Sequence, residues 1–340
     1  MRIFLLQEVH GVAIICKKEM IPLKKKSKSK AHKNKLLWSV LALLFWLAIN
    51  YFIPEPELPE IGSEVTVPSG SYLRVDYVDV GQADFILLEC DGEYMTIDGG
   101  NVADKETVTS CLAARGITEI DTAVITHAHE DHCGAVSAIF DYAEVGTVYC
   151  PVTEYDTVAF KNVLDRIDRQ GLEITLPVVG EVFHIGSAEV QILGPVKQYD
   201  DTNNTSIVLR VTYGDTAFLF TGDAETESEN DIMAMGFDVS ADVLKLGHHG
   251  SSTSNSYRWL MAVDPVYGVI SSNRGDAPDY NHPHEEVVSR LRDYGINVLR
   301  TDLQGTVTCI SDGKEISFTV AKNPDADTLF DAGDGSGYRN

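Results

Sequence analysis

Apolar runs alternate along this chain with amphipathic stretches, and the two periods predict different elements. YLRVDYVDV, DFILLEC and EYMTID have strand composition, and CDGE between the last two carries the Asp-Gly pair of a tight hairpin. DKETVTSCLAARG predicts a helix ended by Gly116, with DTAVIT as the next strand. TVYCPV reads as a strand, and YDTVAFKNVLDRIDRQG sets apolar residues at helical spacing before a closing glycine. A second strand-rich block follows in EVQILGPV, TSIVLRVTY and TAFLFTG. The pattern returns to helix at ETESENDIMAMG, to strand at ADVLKLG and to helix at SNSYRWLMAV, then runs through PVYGVISS, HEEVVSRLRDYG, INVLRT and GTVTCIS. Hairpins argue against a purely parallel sheet. Two mixed sheets facing each other, with helices outside, bury these faces best.

The flanks read differently. Residues 1–35 form a basic segment with ten of the 27 Lys and Arg and two of the 51 acids, which leaves 17 basic against 49 acidic residues beyond. The apolar stretch LLWSVLALLFWLAINYFI, residues 36–53, is long enough for one transmembrane helix, and the lysines before it predict a cytoplasmic N-terminus and an extracytoplasmic body. A cleaved signal, giving a secreted body, is the alternative, although no small-x-small cleavage site follows. Residues 54–71 read as a Pro- and Glu-rich linker, 72–322 as the globular body and 323–340 as a loose acidic tail. Met20, directly before the basic cluster, makes a more usual start than Met1. Scattered cysteines suggest no disulfide framework, and Cys133 reads as a packing residue. A body this acidic repels polyanions at long range, so a phosphate substrate has to be met locally, by bound cations.

Each polar cluster falls where a predicted strand ends: DGGN at 98–101, HAHEDH at 127–132, TGDA at 221–224 and HHGS at 248–251. Seven of the ten histidines lie in HAHEDH, HHGS and NHPH (281–284). Imidazoles and carboxylates are the usual ligands of divalent transition metals. His127 and His129 can share one face of an extended loop, Asp131 and His132 can meet a second ion, and Asp223 can bridge the two. His248 or His249 completes the donors around them. His184, His10 and His32 have no such company. His282 is a candidate proton donor to a leaving group, with a loop role as its alternative, and Lys245 reads as a phosphate contact or a paired charge.

HAHEDH with IDGG before it and TGD after it resembles the metallo-β-lactamase fold superfamily. More narrowly, VDVGQADFILLE, IDGGN, NNTSIVLR, LFTGDA, LKLGHHGSS and NHPHEEVVSRL resemble the hydrolase domain of ComEC-type DNA-uptake competence proteins, over about residues 72–322. The resemblance implies an α/β, four-layer αββα sandwich with two divalent ions, zinc or manganese, at one edge. His127, His129, Asp131 and His132 are then metal ligands, Asp223 bridges, and Asp98 orients the ligand loop from just outside the coordination sphere, while one of His248 and His249 binds metal and the other bonds a substrate phosphate or a neighbouring acid. Asp131 additionally holds the attacking hydroxide, and Gln82, Asp84, Asn204 and Ser251 are candidates for substrate contact. The chain departs from the family at His129, where many competence-type members have Asp, at Ala83 in GQAD, and before the TGD strand, where Asn203, Asn204 and Ser206 replace a histidine.

The function implied is a membrane-anchored, extracytoplasmic hydrolase that attacks a phosphodiester with a metal-bridged hydroxide, its substrate class DNA or a cell-envelope phosphoester. The same chemistry serves a carboxyl-ester, thioester or lactam, which stands as the alternative, with a non-catalytic metal-binding module behind it.

Overall fold

A computed structural model of the protein describes residues 70–273 and 280–329. All of them belong to the second of the chain's two compact units, Pro59–Asn340. The strands, in chain order, are β1 Leu73–Tyr77, β2 Phe85–Cys90, β3 Glu93–Asp98, β4 Glu119–Val124, β5 Glu144–Tyr149, β6 Ile174–Thr175, β7 Val182–Ile185, β8 Ala188–Gly194, β9 Val208–Tyr213, β10 Thr216–Phe220, β11 Val243–Lys245, β12 Tyr267–Ile270, β13 Asn297–Arg300, β14 Val307–Ser311 and β15 Ile316–Val320. One sheet has the order β15-β14-β1-β2-β3-β4-β5-β6 and the other β13-β12-β11-β10-β9-β8-β7. The helices are α1 Lys105–Ala114, α2 Glu130–Cys133, α3 Val136–Tyr142, α4 Val158–Arg169, α5 Thr226–Met235, α6 Tyr257–Val263, α7 Glu285–Tyr294 and α8 Thr301–Gln304.

Alternation within β2 shows how the layers form. Ile86 and Leu88 join the core between the sheets, with Val190, Leu209 and Phe218 from the other side. Phe85 and Leu87 point the opposite way, onto Val108, Leu112 and Phe160 of the helices. A strand buried on both faces has no polar side to show, which is why FILLEC reads as a continuous apolar run. On the second sheet, Leu219 and Leu244 pack under Trp259, Leu260 and Leu291. The result is the expected two-sheet sandwich with helices outside, a mixed α/β fold. Local chemistry sets its turns: Asp91 and Gly92 both have positive φ, as a type I′ hairpin turn between β2 and β3 requires.

Some elements are not announced by the pattern. Strand β7 lies at a sheet edge with Val182 and His184 exposed, so no apolar alternation marks it. The short helix α2 grows out of the histidine cluster, whose polar residues mask its helical period.

The expectation of a membrane-spanning helix, and of the single-pass location built on it, is corrected. No helix among the described residues is long and apolar enough to cross a membrane. The longest, α4, has 12 residues, about 18 Å at 1.5 Å per residue, against a hydrocarbon core of about 30 Å. The apolar stretch 36–53 itself lies outside the described residues, as do the basic segment and most of the linker and tail.

Helix α5 carries a buried acid, Glu229, whose Oε1 accepts from Asn255 N at 2.5 Å and whose Oε2 accepts from Ser256 N at 3.2 Å. Burial pushes its carboxyl up to about 7 from an ordinary 4.5. Between those values the unfolded chain releases a proton that the folded chain keeps, so stability falls as pH rises through that window. Glu229→Gln therefore gains urea resistance over the parent as pH rises from about 4.5 to about 7, with a constant difference above it; a difference independent of pH would contradict the assignment.

Candidate metal centre

Strands β3 and β4 run parallel, as do β10, β11 and β12, so the loops leaving their C-terminal ends emerge at common edges. Asp98 closes β3 with a φ of 60°. Thr126 to His132 follow β4, Thr221 to Asp223 follow β10, and Gly247 to Gly250 follow β11. At Gly222 the φ is 50°, and a Cβ there would meet Thr126 Cβ at 2.9 Å and Ser206 Oγ at 3.0 Å, so a side chain would push the two metal-site loops apart. His248 and His249 both adopt the left-handed conformation, with φ of 52°, which costs each about 1 kcal/mol or more. Asn255 holds this turn: its Oδ1 accepts from Gly247 N and its Nδ2 donates to Gly247 O, both at 2.9 Å.

Asp223 sits at the centre. Its Oδ2 lies 3.8 Å from His127 Nε2 and 3.6 Å from His248 Nε2. Its Oδ1 lies 3.2 Å from His132 Nε2 and 3.7 Å from His249 Nε2. His129 adds Nδ1, 3.1 Å from His127 Nε2, and Asp131 adds Oδ2, 3.3 Å from His249 Nε2. One carboxylate thus faces two donor groups, one on each oxygen.

Every one of the four central imidazoles is held from behind at Nδ1. His132 Nδ1 is 2.8 Å from Asp98 Oδ2, and Thr126 donates to both Asp98 oxygens at 2.7 Å from N and Oγ1. His127 Nδ1 lies 3.2 Å from Thr126 Oγ1, and His249 Nδ1 donates to Ser271 O at 3.0 Å. His248 Nδ1 lies 3.2 Å from Thr253 Oγ1 and 3.4 Å from Glu225 Oε1. Such partners direct Nε2 inward and fix the ring.

This arrangement asks for positive charge. His132 Nε2, His249 Nε2 and Asp223 Oδ1 are buried without a hydrogen-bond partner. With Asp131 they offer four donor atoms within 4.8 Å of one another. Burial alone would raise the Asp223 carboxyl, yet His132, His249 and His248 outweigh it and hold it well below the usual range. Burial likewise opposes a charge on His132, and Asp223, Asp98 and Asp131 overcome it and push that ring well up. A divalent cation satisfies the orphaned atoms and the carboxylates together, so the residues present fit metal ions.

Four residues expected to meet substrate have other partners. Asp84 is 1% exposed, its Oδ2 taking a hydrogen bond from Lys245 Nζ at 2.8 Å while its Oδ1 lies 3.6 Å from His249 Nδ1. Lys245 is thus a paired charge. Asn204, 4% exposed, accepts from Glu225 N and Ser228 N at the start of α5. Ser251, 3% exposed, pairs with Thr253. All three are buried and engaged by protein partners. Gln82 does line the cavity, with both ends of its amide engaged, Nε2 at 2.9 Å from His282 Nδ1 and Oε1 accepting from Asn273 N at 3.2 Å. His282 is pushed down to about 3 by burial and then by the histidines beside it. Cys133 is buried and donates to Ala128 O. Thr126, Ser206 and Glu225 were not legible as site residues, because a lone Thr, Ser or Glu beside a ligand motif has no distinguishing spacing.

The cluster opens into a cavity of about 810 Å³ lined by His129, Asp131, Asp223, His248, His249 and His282, and also by Asp104, Glu130 and Tyr280. Among the described residues its lining contains no Lys or Arg.

Comparison with known proteins agrees with this geometry. The Metallo-beta-lactamase superfamily matches residues 78–272, more than half of the chain. The chain is 29% identical over 253 residues to ComE operon protein 3 of Bacillus subtilis (strain 168), covering 69% of this chain and 32% of that protein. It is 33% identical over 273 residues to Competence protein ComA of Neisseria gonorrhoeae, covering 79% and 35%. Recombination protein 2 of Haemophilus influenzae is 32% identical over 241 residues, covering 69% and 28%. The chain spans about a third of the length of these relatives. With two sheets, strand-end loops and a clustered His/Asp donor set matching that family, the chain belongs to the metallo-β-lactamase superfamily and resembles the ComEC-type competence proteins.

Proposed function

We propose that this metal-dependent hydrolase cleaves phosphodiesters, and that the donors gathered around Asp223 would hold two divalent ions. His127, His129 and His248 would hold the first ion, and Asp131, His132 and His249 the second. The observation that carries this reading is the Asp223 carboxylate facing imidazole pairs on both oxygens. His248 stands on the side of His127 and so supplies a donor where the family's histidine before the TGD strand is replaced. When bound, two such ions generate a nucleophile from water near neutral pH and neutralise charge on a phosphoryl group. Zinc and manganese both suit a mixed imidazole and carboxylate donor set.

The chain's own residues do the rest. Asp131, its side chain 32% exposed at the cavity, accepts a hydrogen bond from the attacking water and orients it. Asp98 and Thr126 keep His132 in one tautomer, and Ser271 does the same for His249. The described lining contributes no Lys or Arg, so within it the ions supply the charge that binds an anionic substrate. That lining favours a small phosphodiester, or a single strand end, over tight binding of a long nucleic acid. The same lining also supports a second reading, hydrolysis of a carboxyl ester, thioester or lactam, which needs no anion binding beyond the ions.

Removal of metal by a chelator lowers the melting temperature of the full chain, and re-addition of zinc or manganese to about 100 times Kd restores about 2.7 kcal/mol per ion; an unchanged melting temperature would remove metal from the site. With metal restored, the chain hydrolyses a chromogenic phosphodiester, and Asp131→Asn lowers the rate by about 100-fold or more. Two ions bound per chain with the phosphodiester intact and a carboxyl ester cleaved would replace the first reading by the second.

A further inference from the structure

The segments that meet at Gln82 fix more than the position of a neighbour. Gln82 lies between β1 and β2, Asn273 follows β12, and His282 precedes α7. A backbone N–H can only donate, so the hydrogen bond from Asn273 N identifies the near end of the Gln82 side chain as Oε1, at 3.2 Å. The other end is then the NH₂ group, and it faces His282 Nδ1 at 2.9 Å. A donor there requires a lone pair on Nδ1, because an imidazolium would set N–H against N–H. The ring is therefore neutral and carries its proton on Nε2. His282 is 3% exposed and lines the cavity, with ring centroids 5.4 Å from His248 and 6.3 Å from His249.

We propose that His282 serves the reaction as a neutral hydrogen-bond donor through Nε2, and that Gln82 is the positioning residue that holds it in that tautomer. The inference rests on the phosphodiester reading only for the identity of the acceptor. An Nε2 that bears a proton has no lone pair for a metal, so His282 is not a ligand even though it stands beside two histidines that converge on Asp223. A neutral imidazole is a far weaker acid than imidazolium, so it does not hand its proton to the leaving group. It stabilises charge on a phosphoryl or leaving oxygen by a fixed hydrogen bond, in the manner of a neutral electrophilic histidine. This assigns Gln82 a role through His282 in place of direct contact with substrate.

The test uses the full chain labelled with ¹⁵N-histidine and loaded with zinc alone. A two-bond ¹H–¹⁵N correlation reads the tautomer of His282, identified by the signals lost in His282→Gln. The expected pattern is a protonated Nε2 and a bare Nδ1. Gln82→Glu replaces the donor by an acceptor and shifts the ring to Nδ1–H or imidazolium, with zinc content unchanged. Its kcat on the chromogenic phosphodiester falls by about 100-fold, the scale for loss of one stabilising donor, while KM changes little. Gln82→Met, which removes the donor without reversing it, loses less. A wild-type ring protonated at Nδ1, or a Gln82→Glu chain with unaltered tautomer and kcat, overturns the proposal. A wild-type chain that leaves the phosphodiester intact fails the functional reading instead, and the spectrum still decides the tautomer.

Discussion

The Asp223 carboxylate, buried to 1% exposure between four imidazole Nε2 atoms, is the constraint around which this site is organised. An isolated carboxylate is costly to bury, and cationic partners in close contact offset that cost. The four imidazoles come from loops after strands of both sheets, so the same electrostatic demand also holds the sandwich's edge together. Gly222 permits this approach, since a Cβ at that position would strike the histidine loop and Ser206.

Support for the centre comes in successive layers. Asp98 braces His132 directly, Thr126 braces Asp98, and Glu225 and Thr253 stand behind His248. Asp84 and Lys245 form a buried ion pair near His249, linking the turn before β2 to the end of β11 in the other sheet. Outside these, Asn255 and Glu229 fasten the left-handed turn at His248 and His249 to α5. Rigid strands supply the frame, and the left-handed residues of the site, Asp98, His248, His249 and Asn255, are each held by hydrogen-bonded neighbours.

Much of this was legible in the chain because function and fold leave different marks. FILLEC and TAFLF are apolar throughout because both faces of their strands are covered. The sequence HAHEDH is polar where the pattern demands otherwise, and that violation located the centre. Asp84, Asn204 and Ser251, expected at the substrate because their motifs sit beside the site in sequence, are buried and hydrogen-bonded to protein partners. Whether a side chain faces the cavity or the interior depends on tertiary packing, which motif spacing does not encode. The apolar stretch 36–53 satisfied a length rule, but hydropathy alone carries no information on where a segment packs, and the described helices give it no membrane-spanning counterpart. Edge strand β7 was silent because an edge has one face to bury and few residues to bury it with.

The acidic cavity has a kinetic corollary. Asp104, Glu130 and Asp131 line it, and no described Lys or Arg balances them. On the proposed reading the two ions draw an anion in while Asp104 and Glu130 oppose it, so added salt screens both and its effect on encounter reports their balance. The product monoester bears more negative charge than the diester it came from, so the pull of the ions and the push of these carboxylates both grow on it.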